Sequence, residues 1–142
     1  MILYLDTSAL LKLYLEEIGS EQVRVNTARA GMCLTHLISY TECHAALALA
    51  LRMQRIGPAE HQRLLADFER DWQQLSIIAV DEMLVRRAGQ FALEHELRGY
   101  DSVHLAAMER VALQAGSSAP VQVAAFDDRL QRAAGAIGLN CS

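Results

Sequence analysis

The sequence predicts an α/β fold, a three-layer α/β/α sandwich around a short parallel sheet of four to five strands. Two observations support this. Short apolar segments alternate with longer segments of helix-forming residues along the chain. The first of them, residues 1–5, is continuously apolar, as expected of a strand buried on both faces of a parallel sheet. Strands that alternate with helices pair in parallel through right-handed crossovers, which gives the sandwich.

The composition is that of one globular domain over residues 1–142. Hydrophobic residues make up 52% of the chain and charged residues 21%, which excludes a disordered protein. No uncharged apolar stretch reaches 18 residues, so no membrane span is expected, and Asp6 interrupts the first apolar run, which argues against a signal peptide. Three widely spaced cysteines fit neither a disulfide framework nor a zinc site. They favour a reducing, cytoplasmic location.

The first strand leads directly into a helix. Residues 1–5 form the strand, and a helix over 7–15 follows, for which Asp6 or Thr7 is a suitable N-cap. Residues 16–20 contain charged residues and a glycine and are predicted to break the helix.

Two further helices surround the second strand. Ser20 is predicted to cap a helix over 21–30 that stops at a glycine. Residues 32–35 form the second strand. The helix over 37–55 is apolar on nearly all sides, so we expect it to be buried in the domain or at a partner interface.

The middle of the chain continues the alternation. A helix over 59–74 begins just after Pro58, which the first turn of a helix tolerates. Residues 76–80 are the third strand, and Asp81 caps a helix that extends to residue 97.

The last third contains the clearest loop. Asp101 is predicted to open a helix over 101–115, and the glycine, serine and proline residues of 116–120 form the loop. A strand over 121–126, a helix over 127–136 and a short last strand from residue 139 complete the chain.

Most acidic residues of the chain are predicted to lie on the exposed surfaces of helices, but four occupy other positions. Asp6 and Asp127 follow the first and fourth predicted strands, at the sheet edge where ligands bind in open α/β folds. Asp101 and Glu42 lie in helices that can reach the same edge. Taken singly, each of the three aspartates is better explained as a helix cap. Glu42 is not, because a lone carboxylate in an apolar helix is costly to bury unless it binds a metal or a distant arginine.

Together the four acids predict a cation site. Carboxylates about 4 Å apart repel each other by roughly 4 kcal/mol at an effective dielectric constant near 20, so a cluster must hold protons or bind a cation. Oxygen ligands without a cysteine or histidine motif favour Mg²⁺ or Mn²⁺ over zinc. Such a cation suits phosphoryl chemistry. The chain has no glycine-rich phosphate loop and no serine-hydrolase elbow.

Charge neither requires nor excludes a nucleic-acid substrate. The net charge is −4, so the chain lacks a general basic surface. All cations except Lys12 are arginines, which suit bidentate phosphate contacts, although a compositional bias of the genome explains this equally well. His104 follows Asp101 by one helical turn and either packs in the core or supports the site.

Four motifs together resemble those of PIN-domain proteins, especially the VapC-like toxins of prokaryotic toxin–antitoxin pairs. They are Leu5-Asp6-Thr7-Ser8-Ala9-Leu10, Ser39-Tyr40-Thr41-Glu42, Tyr100-Asp101-Ser102-Val103-His104-Leu105-Ala106 and Phe126-Asp127-Asp128-Arg129-Leu130. Each motif alone is weak. Their order and spacing span essentially the whole chain, so the resemblance as a whole is specific.

The resemblance implies a function and a set of site residues. Asp6, Glu42, Asp101 and Asp127 would form the family's acidic quartet, with Asp6 and Asp101 as direct metal ligands. The implied activity is Mg²⁺- or Mn²⁺-dependent endonucleolytic cleavage of RNA, by a homodimeric toxin that a cognate antitoxin inhibits. The family often has a threonine or serine where this chain has Ala125, which makes the role of Asp127 the least secure.

Two other functions are compatible with the same residues. One is a PIN fold used for binding, with its nuclease activity lost. The other is a metal-dependent DNA nuclease or phosphatase that uses the same acids. In the ribonuclease case the acidic net charge requires a local arginine patch beside the site. The candidate residues are Arg52, Arg55, Arg98 and Arg129.

Overall fold

Five parallel strands form one sheet in the computed structural model, which describes residues 1–142. The strands are β1 (Ile2–Leu5), β2 (Met32–His36), β3 (Ser76–Ile78), β4 (Val121–Ala124) and β5 (Asn140–Cys141). Their order is β3-β2-β1-β4-β5, and every neighbouring pair is parallel. The predicted parallel sheet is therefore confirmed, with the apolar first segment at its centre.

Seven helices connect the strands. They are α1 (Thr7–Leu11), α2 (Ser20–Arg29), α3 (Ser39–Arg52), α4 (Pro58–Trp72), α5 (Glu82–His95), α6 (Gly99–Ala115) and α7 (Asp128–Ala136). None of them has both the length and the apolar character needed to cross a membrane.

The side chains of β1 alternate between two cores, which makes the fold a three-layer sandwich. Leu3 and Leu5 pack with apolar residues of α1 to α4 on one face of the sheet. Tyr4 points to the opposite face and packs with residues of α5, α6 and α7. All three side chains are fully buried. This explains why the strand is continuously apolar: it has helices on both faces.

The sheet has a switch point between β1 and β4. From β1 the chain moves to β2 and β3 on one side, and it then returns to β4 and β5 on the other. In open α/β sheets, a crevice forms at the carboxyl ends of the two strands where the direction reverses. Asp6 directly follows β1 at this edge, and its backbone N–H donates to the carbonyl oxygen of Ala124, the last residue of β4 (3.0 Å).

Several predicted element boundaries were wrong. The first helix ends at Leu11 and not at residue 15, because the chain enters a turn over residues 12–14. Ser20 does not cap α2; its hydroxyl instead accepts from the Glu17 N–H and donates to the Leu15 carbonyl oxygen. The fourth strand ends at Ala124, so Asp127 lies three residues beyond the strand.

Helix α3 is less buried than its sequence suggested. Cys43, Leu47 and Ala50 face the core, but Leu49 is 48% exposed. The apolar composition does not distinguish the buried face from the exposed one, because alanine and leucine occupy both.

Candidate active site

All four predicted acids line one open pocket of about 310 Å³ at the switch point of the sheet. The other residues that line it are Thr7, Ser8, Leu11, Arg98, Tyr100, His104 and Phe126. The acids come from four separate segments: the end of β1, the first turn of α3, the first turn of α6, and the residue before α7. The fold therefore brings together the residues that the sequence predicted.

Asp6 is a helix cap and a pocket acid at once. Its side chain is almost completely buried, and Oδ1 accepts hydrogen bonds from the Ala9 N–H (2.7 Å) and the Ser8 hydroxyl (2.8 Å). Both bonds go to one oxygen, so Oδ2 has no hydrogen-bond partner. Burial, with smaller contributions from the carboxylates of Asp101 and Glu42, raises the pKa of Asp6 to about 6 against the two hydrogen bonds, which lower it.

Glu42 has no arginine or lysine partner. Its Oε1 accepts a hydrogen bond from the Thr7 hydroxyl (2.9 Å), and the nearest ionisable base is His104, whose Nε2 lies 3.8 Å away. Burial holds the pKa of His104 well below its usual range, so this histidine is neutral. The distant arginine that could have explained Glu42 is absent. Burial raises the pKa of Glu42, and the charge of Asp101 adds to this.

Asp101 is not a helix cap. Helix α6 begins at Gly99 and its N-cap is Arg98, so Asp101 lies in the first turn and the prediction that it opens the helix was wrong. Its carboxylate instead receives a hydrogen bond from Arg98 Nε (3.4 Å). Burial, followed by the charge of Asp127, raises the pKa of Asp101 despite this arginine. With capping excluded, the acid needs another explanation.

Asp127 is held by the backbone of α7. Its Oδ1 accepts from the N–H groups of Arg129 and Leu130, both at 3.0 Å, and Oδ2 lies 3.6 Å from Arg98 Nη2. These contacts fix the carboxylate without a hydroxyl at residue 125. Ala125, the departure from the family pattern, therefore does not leave Asp127 unsupported.

The charges of the pocket are not balanced. Arg98 is the one arginine or lysine within 4.0 Å of any of the four carboxylates, and its side chain is 79% exposed. The donor atoms that face the pocket are mostly carboxylate and hydroxyl oxygens, which are the ligands that Mg²⁺ and Mn²⁺ prefer. A half-buried acid cluster with one exposed counter-charge and a free Oδ2 on Asp6 fits a hard divalent cation.

A hydrogen-bonded series of side chains supports Glu42 from behind. The Tyr4 hydroxyl lies 2.9 Å from His104 Nδ1, and His104 Nε2 lies 3.1 Å from the Thr7 hydroxyl, which contacts Glu42. The Thr7 backbone N–H donates to His104 Nε2 (3.4 Å), so the ring proton lies on Nδ1 and is donated to the Tyr4 hydroxyl, while the Thr7 hydroxyl donates to Glu42. His104 therefore both packs in the core and orients a site residue, so its two predicted roles coexist.

His36 completes this buried layer. Its ring stacks on His104 with centroids 4.0 Å apart, and its Nε2 has no hydrogen-bond partner. One ligand atom each of His36, Glu42 and His104 lies within 4.8 Å of the other two. No feature of the sequence indicated that His36 would lie here, because the contact joins residues that are far apart in the chain.

The sequence missed three supporting residues, Thr7, Ser8 and His36, and placed two arginines wrongly. Thr7 and Ser8 directly follow Asp6 in the sequence. This run of two hydroxyl residues after the acid is the signal that could have identified them as supporting residues. Arg98 was a candidate for RNA contact, but it also bridges Asp101 and Asp127.

Of the other candidate arginines, Arg129 lines the depression next to the pocket. Arg55 is paired with Glu17 (3.5 Å), and Arg52 is the last residue of α3, away from the pocket that the first turn of this helix lines. Neither of these two residues belongs to a patch beside the site.

Comparison with known proteins identifies the family. The model of the PIN domain matches residues 3–136. Two relatives from Mycobacterium tuberculosis, ribonuclease VapC45 of strain CDC 1551 and ribonuclease VapC49 of strain H37Rv, are each 36% identical over 141 aligned residues. Each alignment covers 96% of this chain and 92% of the relative.

Solved structures show the same fold. FitAcB from Neisseria gonorrhoeae superposes with a TM-score of 0.69 at 18% identity, over 99% of this chain and 96% of that one. Mycobacterium tuberculosis VapC20, described as a toxin that cleaves the sarcin–ricin loop, gives a TM-score of 0.66 at 18% identity, over 96% and 95%. The family model and the identity with two VapC ribonucleases, together with this fold, show that the chain belongs to the PIN domain family.

Proposed function

We propose that this chain is a divalent-cation-dependent endoribonuclease and the toxin of a toxin–antitoxin pair. One observation carries the proposal: four carboxylates from four segments line one pocket, with a single exposed arginine as counter-charge. An arrangement that leaves half-buried acids unpaired costs stability unless a cation binds.

The relatives support the substrate and the partner. Two of them are named ribonucleases. Similar folds occur in a toxin–antitoxin complex from Klebsiella pneumoniae and in VapBC2 of Rickettsia felis bound to a fragment of promoter DNA. We therefore assign RNA as the substrate and an antitoxin protein as the inhibitor, and we expect a homodimer.

Asp6 and Asp101 are proposed as direct ligands of Mg²⁺ or Mn²⁺, with Glu42 and Asp127 completing the site. When bound, the cation neutralises charge on the scissile phosphate and promotes ionisation of the attacking water. The protein's own residues position the acids: Ser8 and the Ala9 N–H hold Asp6, the Thr7 hydroxyl holds Glu42, and the α7 backbone holds Asp127. With a pKa of about 6, Asp6 is mostly ionised at neutral pH and ready to bind a cation.

The proposal is tested by cleavage of a labelled RNA oligonucleotide with Mg²⁺, with Mn²⁺ and with EDTA. The wild type should cleave RNA internally with a cation and not with EDTA, and Asp101→Asn should lose this activity. Asp67→Asn is the matched control, because it removes a half-buried acid that is paired with arginines and does not line the pocket.

Other substrates separate the alternatives. Cleavage of DNA or of a phosphomonoester in place of RNA would favour the other hydrolases, and RNA binding without any cleavage would favour a binding protein. In cells, expression of the wild type should arrest growth, and Asp101→Asn should not. Equal toxicity of the two proteins would contradict the toxin assignment.

A further inference from the structure

Most arginines of this chain are already paired with carboxylates. The chain has twelve arginines. Eight of them have a carboxylate oxygen within 4.0 Å, which leaves four unpaired. The four are Arg29, Arg52, Arg129 and Arg132. A guanidinium without a carboxylate partner remains available to bind an external anion.

Two of the unpaired arginines are neighbours. Arg129 and Arg132 are exposed and lie three residues apart on α7, so they share one face of the helix. They line a cleft of about 520 Å³ together with His95, Glu96 and two alanines. Glu96 is the one acid of this cleft, and its carboxylate lies more than 4.0 Å from both guanidinium groups. The cleft therefore has a local excess of positive charge on a chain whose net charge is −4.

The cleft is continuous with the acid pocket. A depression of about 470 Å³ lies between them, lined by Arg98, Asp127, Asp128, Arg129 and Arg132. It shares both α7 arginines with the cleft, and it shares Arg98 and Asp127 with the acid pocket. A chain-like ligand can thus leave the acid pocket past Asp127 and reach the two arginines along one surface.

The N-terminus of α7 does not itself provide an anion site, because Asp127 already accepts hydrogen bonds from the Arg129 and Leu130 N–H groups. Asp127 and Asp128 would repel a phosphate that has no cation beside it. The first favourable position for a phosphate outside the acid pocket is therefore beside the exposed guanidinium groups of Arg129 and Arg132.

We propose that Arg129 and Arg132 form a phosphate-binding site for the backbone of the RNA strand that leaves the acid pocket on the Asp127 side. This rests on the proposed ribonuclease function. The two arginines position the strand and do not touch the phosphodiester that is cleaved. Their loss should therefore weaken RNA binding and raise KM, with little change in kcat.

The test measures binding without cleavage. Fluorescence anisotropy of a labelled single-stranded RNA is compared between Asp6→Asn and the same protein that also carries Arg129→Gln and Arg132→Gln. The matched control carries Asp6→Asn with Arg29→Gln and Arg52→Gln, which removes the other two unpaired arginines. We expect the α7 pair to lose about 10- to 100-fold in affinity and the control pair less than about twofold.

Salt dependence and the conservative variant give independent measures. Loss of two contacts to single-stranded RNA should reduce the slope of log K against log salt by about 1.4. Lysine at both α7 positions should restore the slope but only part of the affinity, because lysine lacks the bidentate fork. Melting temperatures of all variants verify that the fold survives.

Two outcomes would overturn the site. Equal affinity losses for the two arginine pairs would mean that only total charge matters, and no loss for the α7 pair would mean that the strand takes another path. Failure of the ribonuclease proposal looks different. In that case the wild type cleaves no RNA, yet the α7 pair still determines its RNA affinity.

Discussion

The acid pocket and the ion-paired surface of α5 and α6 use carboxylates to opposite effect. On that surface, Arg110 makes two hydrogen bonds of 2.9 Å to Asp81, and Arg87 makes two of 2.8 Å to Glu109. Arg87 lowers the pKa of Glu109, and Arg110, followed by the Leu84 N–H, lowers that of Asp81 to about 2. In the pocket, burial raises the pKa of Asp6 to about 6.

The pKa values shift in opposite directions because the carboxylates of the two regions have different neighbours. A carboxylate with a bidentate arginine contributes to the stability of the fold, whereas a half-buried carboxylate that faces other carboxylates reduces it. The chain has many arginines and places just one, exposed, beside its four pocket acids. The pocket is thus built at a cost in stability, as is common at sites that bind a ligand.

The largest expected contrast is in activity. Asp6→Asn should lower RNA cleavage by on the order of 1,000-fold, because a lost metal ligand costs several kcal/mol of transition-state stabilisation. Asp81→Asn should keep wild-type activity. Both asparagines retain the Oδ1 that caps a helix, so the pair compares function at equal local structure. Initial rates at saturating Mn²⁺ measure this, and similar losses in both variants would contradict a special role for the pocket.

The next contrast is in the pH dependence of stability without metal. The pKa of Asp6 is higher in the folded chain than its ordinary value of 3.8, so the folded state binds the proton more tightly. The contribution of Asp6 to stability is therefore fully present below about pH 4 and is lost as the pH rises through about 6, by on the order of 3 kcal/mol. This loss should vanish in Asp6→Asn. Urea unfolding at several pH values in EDTA measures the difference between the two proteins.

The contribution of Asp81 to stability should depend on pH in the opposite direction, and in a more acidic range. Its pKa is lower in the folded chain, so its contribution is present above pH 4 and is lost as the pH falls towards 2. Asp81→Asn should therefore be less stable than the wild type at neutral pH and approach it in acid. If Asp6→Asn and Asp81→Asn change the unfolding free energy in the same direction at pH 7, the neighbours of a carboxylate do not determine its effect on stability.

Cation binding should offset the loss of stability that the unpaired carboxylates of the pocket cause. At a concentration 100 times its Kd, Mg²⁺ or Mn²⁺ should raise the unfolding free energy of the wild type by about 2.7 kcal/mol. Asp101→Asn should gain much less, since it removes a proposed ligand. Thermal melts with the chloride salt, compared with KCl at equal ionic strength, measure the gain. A similar gain in both proteins would place the cation elsewhere.

Much of this fold could be predicted because its central strand is buried on both faces, so its sequence is unambiguous. All five strands were predicted, and their parallel pairing follows from the alternation with helices, whereas their order in the sheet was not predicted. Boundaries were less certain where local signals conflict. The helix of Asp101 was expected to begin at residue 101, yet α6 begins at Gly99, which moves Asp101 from a cap into the first turn.

The four acids could be predicted, but their surroundings could not. Glu42 depends on Thr7 and His104, which approach it only when α1, α3 and α6 pack together. The sequence likewise did not show which arginines lack partners, because Arg55 is paired with Glu17 across 38 positions. Pairing of charges is a tertiary property, and it is what distinguishes the site from the rest of the surface.

The smallest expected effect compares the same substitution in two helices. Glu109→Gln breaks a partly exposed ion pair and should lower the unfolding free energy by at most about 1 kcal/mol, less at high salt. Glu42→Gln should instead raise the stability of the metal-free protein, because it removes a carboxylate whose pKa is raised by burial and by Asp101, while the Thr7 hydroxyl can still donate to the amide oxygen. Urea unfolding in EDTA at pH 7 measures both. A destabilised Glu42→Gln would mean that this acid contributes to the fold as Glu109 does, and the distinction between the two regions would fail at the residue on which it depends most.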